Sequence, residues 1–235
     1  MQPTVALRPV TAGDLELLER GAVDREVRGE ANWWGFSDVG SVRRQFETDG
    51  FLGQDDGRLI VQVGGQPIGS ISWHAVHHGL PPWSRGWNIG IALLPEWRGR
   101  GYGGPAQRAL AEYLLANTTA MRIEASTRRD NLAEQRALEK AGFTREGVLR
   151  AAQFQDGAWR DLVLFSLVRS DLRSEQASGQ QGCRWTRSHR PPAWWPTMAS
   201  ASAGPRSGAG SAHGCRSQSI WVATGEVIRP FGPRR

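Results

Sequence analysis

The sequence predicts a mixed α+β domain, with a mostly antiparallel sheet of about seven strands and about four flanking helices. Hairpin turns are the first observation: Gly64-Gly65 and Asp156-Gly157 each join two strand-like runs. The second is a strand–helix–strand–helix alternation between these hairpins, which is typical of a parallel crossover. The third is length, because residues 1–172 suffice to bury one core.

The predicted strands are apolar and β-branched runs bounded by turn residues. They cover residues 5–8, 58–63, 67–76, 86–94, 121–126, 143–154 and 159–168.

The predicted helices follow apolar spacing and end signals, and cover residues 14–21, 39–51, 103–116 and 131–141. Asp14 is the expected N-cap of the first helix. Ala106, Leu110 and Leu114 repeat every four residues, which places them on one buried face. Gly142 is the expected C-cap of the last helix.

The composition changes near residue 172, which divides the chain into a domain at 1–172 and a tail at 173–235. The whole chain has a net charge of +6, yet the tail alone holds nine Arg against two Glu. The tail is also rich in Ser, Gly and Pro, so we expect it to be disordered. Two alternatives stay open: an Arg/Trp arm that contacts nucleic acid, and a reading-frame artefact of a GC-rich gene.

Both cysteines, Cys183 and Cys215, lie in the tail. Their absence from residues 1–172 excludes a cysteine nucleophile, a thiolate metal site and a disulfide scaffold there, and we expect no metal. No apolar run is long enough for a membrane span, and no basic region followed by an apolar stretch opens the chain. We therefore expect a cytoplasmic protein without membrane contact.

A glycine-rich loop at residues 94–104 is the sharpest motif, because it follows a strand and opens a helix. Glycines let backbone N–H groups approach a ligand, and the helix N-terminus adds a positive dipole. This combination predicts a phosphate site, with pyrophosphate as the natural ligand.

Two glycine patterns overlap in this loop. Gly99, Gly101 and Gly104 match G-x-G-x-x-G, and Glu124 follows 20 residues later, as in a dinucleotide site. That interpretation is disfavoured because four residues separate the strand from the first glycine, whereas a dinucleotide turn is tight. The other pattern is R-x-x-G-x-G, formed by Arg98, Gly101 and Gly103.

Further stretches agree with the second pattern in order and spacing. They are Arg8-Pro9 with Asp14, Ile89-Gly90-Ile91-Ala92-Leu93, Asn131 with Glu139-Lys140-Ala141-Gly142-Phe143, Glu146-Gly147-Val148-Leu149-Arg150, and Trp159-Arg160-Asp161. Together they resemble the GCN5-related N-acetyltransferase (GNAT) family, in particular its RimJ/RimL-like branch of ribosomal-protein-alanine acetyltransferases. The resemblance covers about residues 4–172.

The resemblance implies a GNAT fold that binds acetyl-CoA as a co-substrate between two splayed parallel strands. Backbone groups of Ile91 and Leu93 would then pair with the pantetheine amides, and Asn131 would bind the same arm. The pyrophosphate would be held by Arg98, Gly99, Arg100, Gly101, Tyr102 and Gly103. From its own sequence context, Asn131 also reads as a helix N-cap with Glu134 as capping-box partner, and both roles can coexist.

The expected reaction is direct attack of an amine on the thioester, with the oxyanion met by a backbone N–H near Ala92 or Leu93. Asn88 stands where the family often places a carboxylate base. Glu134 and Leu138 stand where it often has a Ser or Tyr acid. The remaining catalytic candidates are His74, Glu124 and Glu134, together with His77 and His78. The alternative for the histidines is ordinary solvent exposure.

The acceptor is expected to be a primary amine, either a protein N-terminus or a small-molecule or antibiotic amine. A cluster of tryptophans could form an aromatic wall for it or simply pack in the core: Trp33, Trp34, Trp73, Trp83 and Trp87. The expected assembly is a monomer or a homodimer. A non-catalytic acyl-CoA-binding regulatory module is the alternative function.

Overall fold

A seven-stranded sheet organises the structure, a computed structural model that describes residues 4–80 and 84–172. The strand order is β1-β2-β3-β4-β5-β7-β6, and every neighbouring pair is antiparallel except β4 and β5. The strands are β1 (Val5–Pro9), β2 (Asp56–Val63), β3 (Gln66–His77), β4 (Arg85–Leu93), β5 (Arg122–Arg128), β6 (Thr144–Gln155) and β7 (Ala158–Val168). The predicted α+β class, strand count and both hairpins are confirmed.

Five α-helices have both ends within the described residues, one more than predicted: α1 (Leu15–Val23), α2 (Arg25–Arg28), α3 (Val39–Asp49), α4 (Gly103–Asn117) and α5 (Leu132–Lys140). Residues 169–172 are also helical, at the edge of the described part. The sequence analysis missed α2 because it is a single turn. The Asp24 side chain caps it by accepting hydrogen bonds from the N–H groups of Glu26 and Val27.

Asp14 is the N-cap residue of α1, as predicted, but its carboxylate makes no capping hydrogen bond to that helix. It accepts instead from the Arg8 guanidinium at 2.7 Å and from the Thr11 hydroxyl at 2.6 Å. The Arg8 hydrogen bond lowers the pKa of Asp14 to about 2, so this buried carboxylate ties β1 to the start of the helical region.

Two cores cover the two faces of the sheet. One face packs against α4 and α5, and Ala106, Leu110 and Leu114 are buried in it as their spacing predicted. The other face packs against α1 and α3 through a smaller cluster that includes Leu18 and Ile60. Helices therefore cover both faces of the sheet.

The parallel strands β4 and β5 separate soon after they pair. Their register contains two pairs, Trp87 with Ile123 and Asn88 with Glu124. Beyond Asn88, β4 continues for five residues while bonded only to β3. The gap opens toward the glycine loop, as the predicted splay requires, and we call its closed end, at Asn88 and Glu124, the apex.

Gly69 allows β3 to approach the outer half of β4. Its φ is +153°, and a Cβ atom there would lie 2.2 Å from the Ala92 carbonyl oxygen and 2.8 Å from the Leu93 Cα. Such distances are far below van der Waals contact, so any side chain would displace β4 along the gap.

The predicted tail at 173–235 and the domain boundary at residue 172 lie outside the described residues or at their edge, so both stay predictions. Within the described ranges, no helix is long and apolar enough to cross a bilayer.

Gly69→Ala should lower the free energy of unfolding by about 3 kcal/mol or more, because backbone atoms of β4 must move. Urea unfolding monitored by circular dichroism measures this change. Gly21→Ala is the control: it lies within α1 with open space around its Cβ position, and should stabilise by about 0.5–1 kcal/mol. Equal effects of the two substitutions would contradict the close approach.

Candidate active site

A cleft of about 630 Å³ occupies the gap between β4 and β5. This volume falls within the usual range for small-molecule sites. Its walls come from the α2 segment, the outer half of β4, the glycine loop, the start of α4 and one side of α5. Predicted binding residues among its lining are Ile91, Leu93, Arg98, Gly99, Gly101, Tyr102, Gly103 and Asn131.

The backbone of β4 presents alternate residues to this cleft. The Leu94 N–H donates to the Ile68 carbonyl of β3. Since hydrogen-bonding directions alternate along an antiparallel strand, the backbone groups of Ile91 and Leu93 point away from β3. Ala92, whose N–H was an expected oxyanion donor, faces Ser70 on β3 instead.

The carbonyls of these two residues accept hydrogen bonds from side chains outside the sheet. Asn32 Nδ2 donates to the Ile91 carbonyl at 3.3 Å, and Arg98 Nε donates to the Leu93 carbonyl at 2.8 Å. The N–H groups of Ile91 and Leu93 point away from β3 by the same alternation, toward the gap. The wall of the cleft therefore offers hydrogen-bond donors.

The glycine loop forms a cradle at the open end of the gap. Gly101 has a φ of +85°, and nothing lies within 4 Å of its Cβ position. The N–H groups of Gly101, Tyr102, Gly103 and Gly104 donate no hydrogen bond within the part of the chain that the structure describes. Four free donors at the N-terminus of α4 suit a phosphate or pyrophosphate.

The two loop arginines differ from each other. Arg98 Nη2 donates to the Val27 carbonyl at 2.5 Å, so its guanidinium joins the loop to α2 and to β4. Arg100 does not line the cleft, and its guanidinium lies 5.2 Å from the Trp97 ring centroid. The backbone N–H groups are therefore better placed than these side chains to contact a phosphate. The binding role of both arginines stays a prediction.

Four further cations line the cleft and were missed from the sequence: Arg28 at the end of α2, and three on β5 and α5. Arg136 and Lys140 lie four residues apart on α5, and Arg128 lies at the end of β5. Arg128 pairs with Asp130 and donates to Gln155 at 3.2 Å. The i, i+4 spacing of Arg136 and Lys140 predicts that they share one face of α5, but nothing in the sequence showed which ligand that face would contact.

Asn131 caps α5, as predicted, because its Oδ1 accepts from the Glu134 N–H at 3.3 Å. The second hydrogen bond of a capping box, from the Asn131 N–H to the Glu134 carboxyl, is not among the bonds at this cap. The amide is also less free than expected, since Nδ2 donates to the Thr127 hydroxyl at 3.0 Å. This bond fixes the amide plane at the rim of the cleft.

Glu134 points its carboxyl toward the cleft instead of the helix cap. Desolvation raises its pKa to about 7. The neighbouring Gln107 amide counteracts part of that rise, although the pair falls outside strict hydrogen-bond geometry. A carboxyl with this pKa can hold a proton at neutral pH.

The other two predicted catalytic residues lie at the apex, away from the glycine loop. His74, Asn88 and Glu124 occupy neighbouring positions on β3, β4 and β5, which gives a polar row across three strands. Glu124 is 5% exposed and its Oε1 lies 2.5 Å from His78 Nε2. The structure therefore separates Glu134 from the His74–Glu124 row. The catalytic role of all three stays a prediction.

The predicted aromatic wall is wrong for two tryptophans. Trp73 and Trp87 are each 4% exposed and pack in the core against α4. Trp83 lies outside the described residues. Trp33 and Trp34 follow α2, and the Trp33 carbonyl accepts from Gln155 Nε2 at 2.7 Å, so the β6–β7 hairpin contacts this segment.

Within residues 4–80 and 84–172, no group of three or more His, Cys, Asp or Glu side chains is arranged to hold a metal ion.

A family model described as an acetyltransferase (GNAT) domain matches residues 4–144, more than half of the chain. The chain belongs to the GNAT acetyltransferase family. One relative, the uncharacterized N-acetyltransferase YoaA of Bacillus subtilis (strain 168), is 35% identical over 103 residues. That match covers 43% of this GNAT chain and 55% of the relative, so the chain spans about half the length of that relative.

Solved structures confirm the GNAT fold. Spermidine N-acetyltransferase from Vibrio cholerae, in complex with CoA and spermine, has a TM-score of 0.62 at 16% identity, over 72% of this chain and 97% of that one. RimL, a ribosomal L7/L12 alpha-N-protein acetyltransferase in complex with coenzyme A, has a TM-score of 0.59 at 18% identity, over 70% and 94%. The predicted likeness to RimJ/RimL-like members is thereby confirmed.

Gly101→Leu should lower the affinity for acetyl-CoA at least about 100-fold, because the new side chain would occupy the phosphate cradle. Isothermal titration calorimetry measures the loss. Gly65→Leu is the control, since Gly65 has a matching φ of +82° and open surroundings in the β2–β3 turn. Loss of binding in both variants would indicate a general folding defect.

Glu134→Gln should remove a pH dependence of stability. In the wild type the raised pKa means that the folded state keeps a proton that the unfolded chain releases. Stability is then full below about pH 4.5 and falls as pH rises through about 7, a loss of about 1–2 kcal/mol that the glutamine avoids. Urea unfolding at pH 5, 6, 7 and 8 tests this, with Glu139→Gln on the exposed side of α5 as control. Parallel curves for all three proteins would contradict it.

Proposed function

We propose that this GNAT domain is an N-acetyltransferase that moves the acetyl group of acetyl-CoA to a primary amine by direct attack in a ternary complex. The observation that carries the proposal is the cleft between β4 and β5, with free N–H donors on its wall and four more in the glycine cradle. That arrangement suits a long ligand with amides in its middle and a pyrophosphate at one end.

The binding residues follow from the direction of the donors. The N–H groups of Gly101 to Gly104 would hold the pyrophosphate, and that of Leu93 would pair with a pantetheine amide. Arg128, Arg136 and Lys140 would supply positive charge beside the phosphates. Asn131 would present its amide, fixed by Thr127, to the pantetheine arm.

The reacting groups are assigned by position in the cleft. The Ile91 N–H is the cleft-facing donor nearer the apex and suits the oxyanion. Glu134 can hold a proton at neutral pH but lies toward the glycine cradle, away from the apex, so its catalytic role stays a prediction. Glu124 and His74 lie at the apex, where proton removal from the amine would occur.

The acceptor belongs to the class of primary amines. The structural neighbours include a spermidine N-acetyltransferase and a ribosomal-protein alpha-N-acetyltransferase. The segment after α2 and the β6–β7 hairpin, joined by Gln155, would border the acceptor side. Exposed Phe36 and Trp159 on these elements favour an acceptor with apolar parts.

A binding and turnover experiment tests the function on the full chain. Acetyl-CoA is titrated by calorimetry, and mass spectrometry then follows spermidine, kanamycin and a peptide with an N-terminal serine. We expect binding together with an acetyl group on at least one acceptor. Binding without any product would favour the non-catalytic acyl-CoA-binding module, and no binding by folded protein would overturn the proposal.

A further inference from the structure

The apex carries a group of polar residues that the co-substrate cleft does not use. Asn88 is 6% exposed, and its Oδ1 accepts no hydrogen bond from any described residue. A buried acceptor without a hydrogen bond costs free energy, so Asn88 Oδ1 indicates that a donor is missing. Beside it on β5 is Glu124, which bonds to His78.

The reacting end of a bound co-substrate should reach this point. Strands rise about 3.3 Å per residue, so Asn88 lies about 17 Å along β4 from Leu93, beside which the phosphate cradle begins. An extended pantetheine arm is of comparable length. With the pyrophosphate at the open end of the gap, the thioester therefore lies between Ile91 and the apex, on the side from which an acceptor bound at Asn88 would approach.

We propose that His78 accepts the proton of the incoming ammonium, that Glu124 positions His78, and that Asn88 Oδ1 binds an N–H of the acceptor. The inference rests on the proposed function and deepens it by naming the group that starts the reaction. The His78 side chain is 55% exposed, so it can pass the proton to solvent.

The hydrogen bond at Glu124 determines which nitrogen acts. Nε2 faces the carboxylate, so neutral His78 carries its proton there and keeps the Nδ1 lone pair as acceptor. One ammonium proton moves to Nδ1 and then to water. The amine lone pair forms the N–C bond, the C–S bond breaks, and the second amine proton ends on the sulfur.

Charged neighbours hold the pair in place. Arg122 Nε donates to the same Glu124 oxygen at 2.6 Å, and its Nη1 donates to Glu146 at 2.6 Å. Ser166 donates to Glu146 at 2.7 Å. The charged groups that face His78 are thus Glu124 and Arg122 from β5 and Glu146 from β6.

The test compares His78→Ala with Leu80→Ala in the full chain. Leu80 lies two residues further along the same loop and is 82% exposed. We expect His78→Ala to lower kcat about 100-fold with an unchanged KM for acetyl-CoA, to lose the acid limb of the pH–rate profile, and to regain activity with added imidazole. Leu80→Ala should behave like the wild type.

His78→Gln serves as a second variant, because its amide can still donate to Glu124 while accepting no proton at neutral pH. We expect it to match His78→Ala in kcat and to respond little to imidazole. An active wild type with both His78 variants within twofold of it and an unaltered pH profile would overturn this proposal alone. A wild type that binds acetyl-CoA and acetylates none of the three acceptors would overturn the proposed function and this inference with it.

Discussion

The separation of β4 and β5 after Asn88 is the constraint on which the rest of the site depends. Opening a sheet leaves backbone groups without partners, and buried groups of that kind are costly. Here the two exposed carbonyls of β4 are satisfied by Asn32 and Arg98. The strand therefore keeps only its donors for a ligand, and the opening does not depend on a ligand to satisfy its carbonyls.

The same geometry gives the two ends of the gap opposite electrostatic character. The open end carries the N-terminus of α4 and the cations of α5, which suit a polyanion. The apex carries Glu124, Glu146 and a histidine, which suit a cation that must lose a proton. An anionic co-substrate and a cationic acceptor would thus each meet a complementary field, and neither would compete for the other's end.

Much of this fold could be predicted because its signals are local. The spacing of Ala106, Leu110 and Leu114 predicted the buried face of α4, and the turn dipeptides Gly64-Gly65 and Asp156-Gly157 predicted the hairpins. In the loop from Arg98 to Gly104, the glycines were enough to predict accessible backbone N–H donors. What the sequence could not show are contacts between distant segments. Asn32 bonds to a carbonyl 59 residues away, and His78 bonds to a carboxylate 46 residues away.

Buried polar side chains caused the specific errors. Asp14 stands at the N-cap position of α1, but its carboxylate bonds to Arg8 and Thr11 and makes no capping bond to that helix. Glu134 was expected to complete a cap and instead turns toward the cleft. A capping pattern predicts where a helix begins more securely than it predicts where the side chain points.

The Gln155 amide has a consequence for the order of assembly. Its Nε2 donates to the carbonyls of Glu30 and Trp33, 125 and 122 residues earlier in the chain. Closing so long a loop costs entropy that only late, cooperative contacts offset. During synthesis, the glycine cradle can therefore form before the acceptor side, which is completed only when the β6–β7 hairpin emerges.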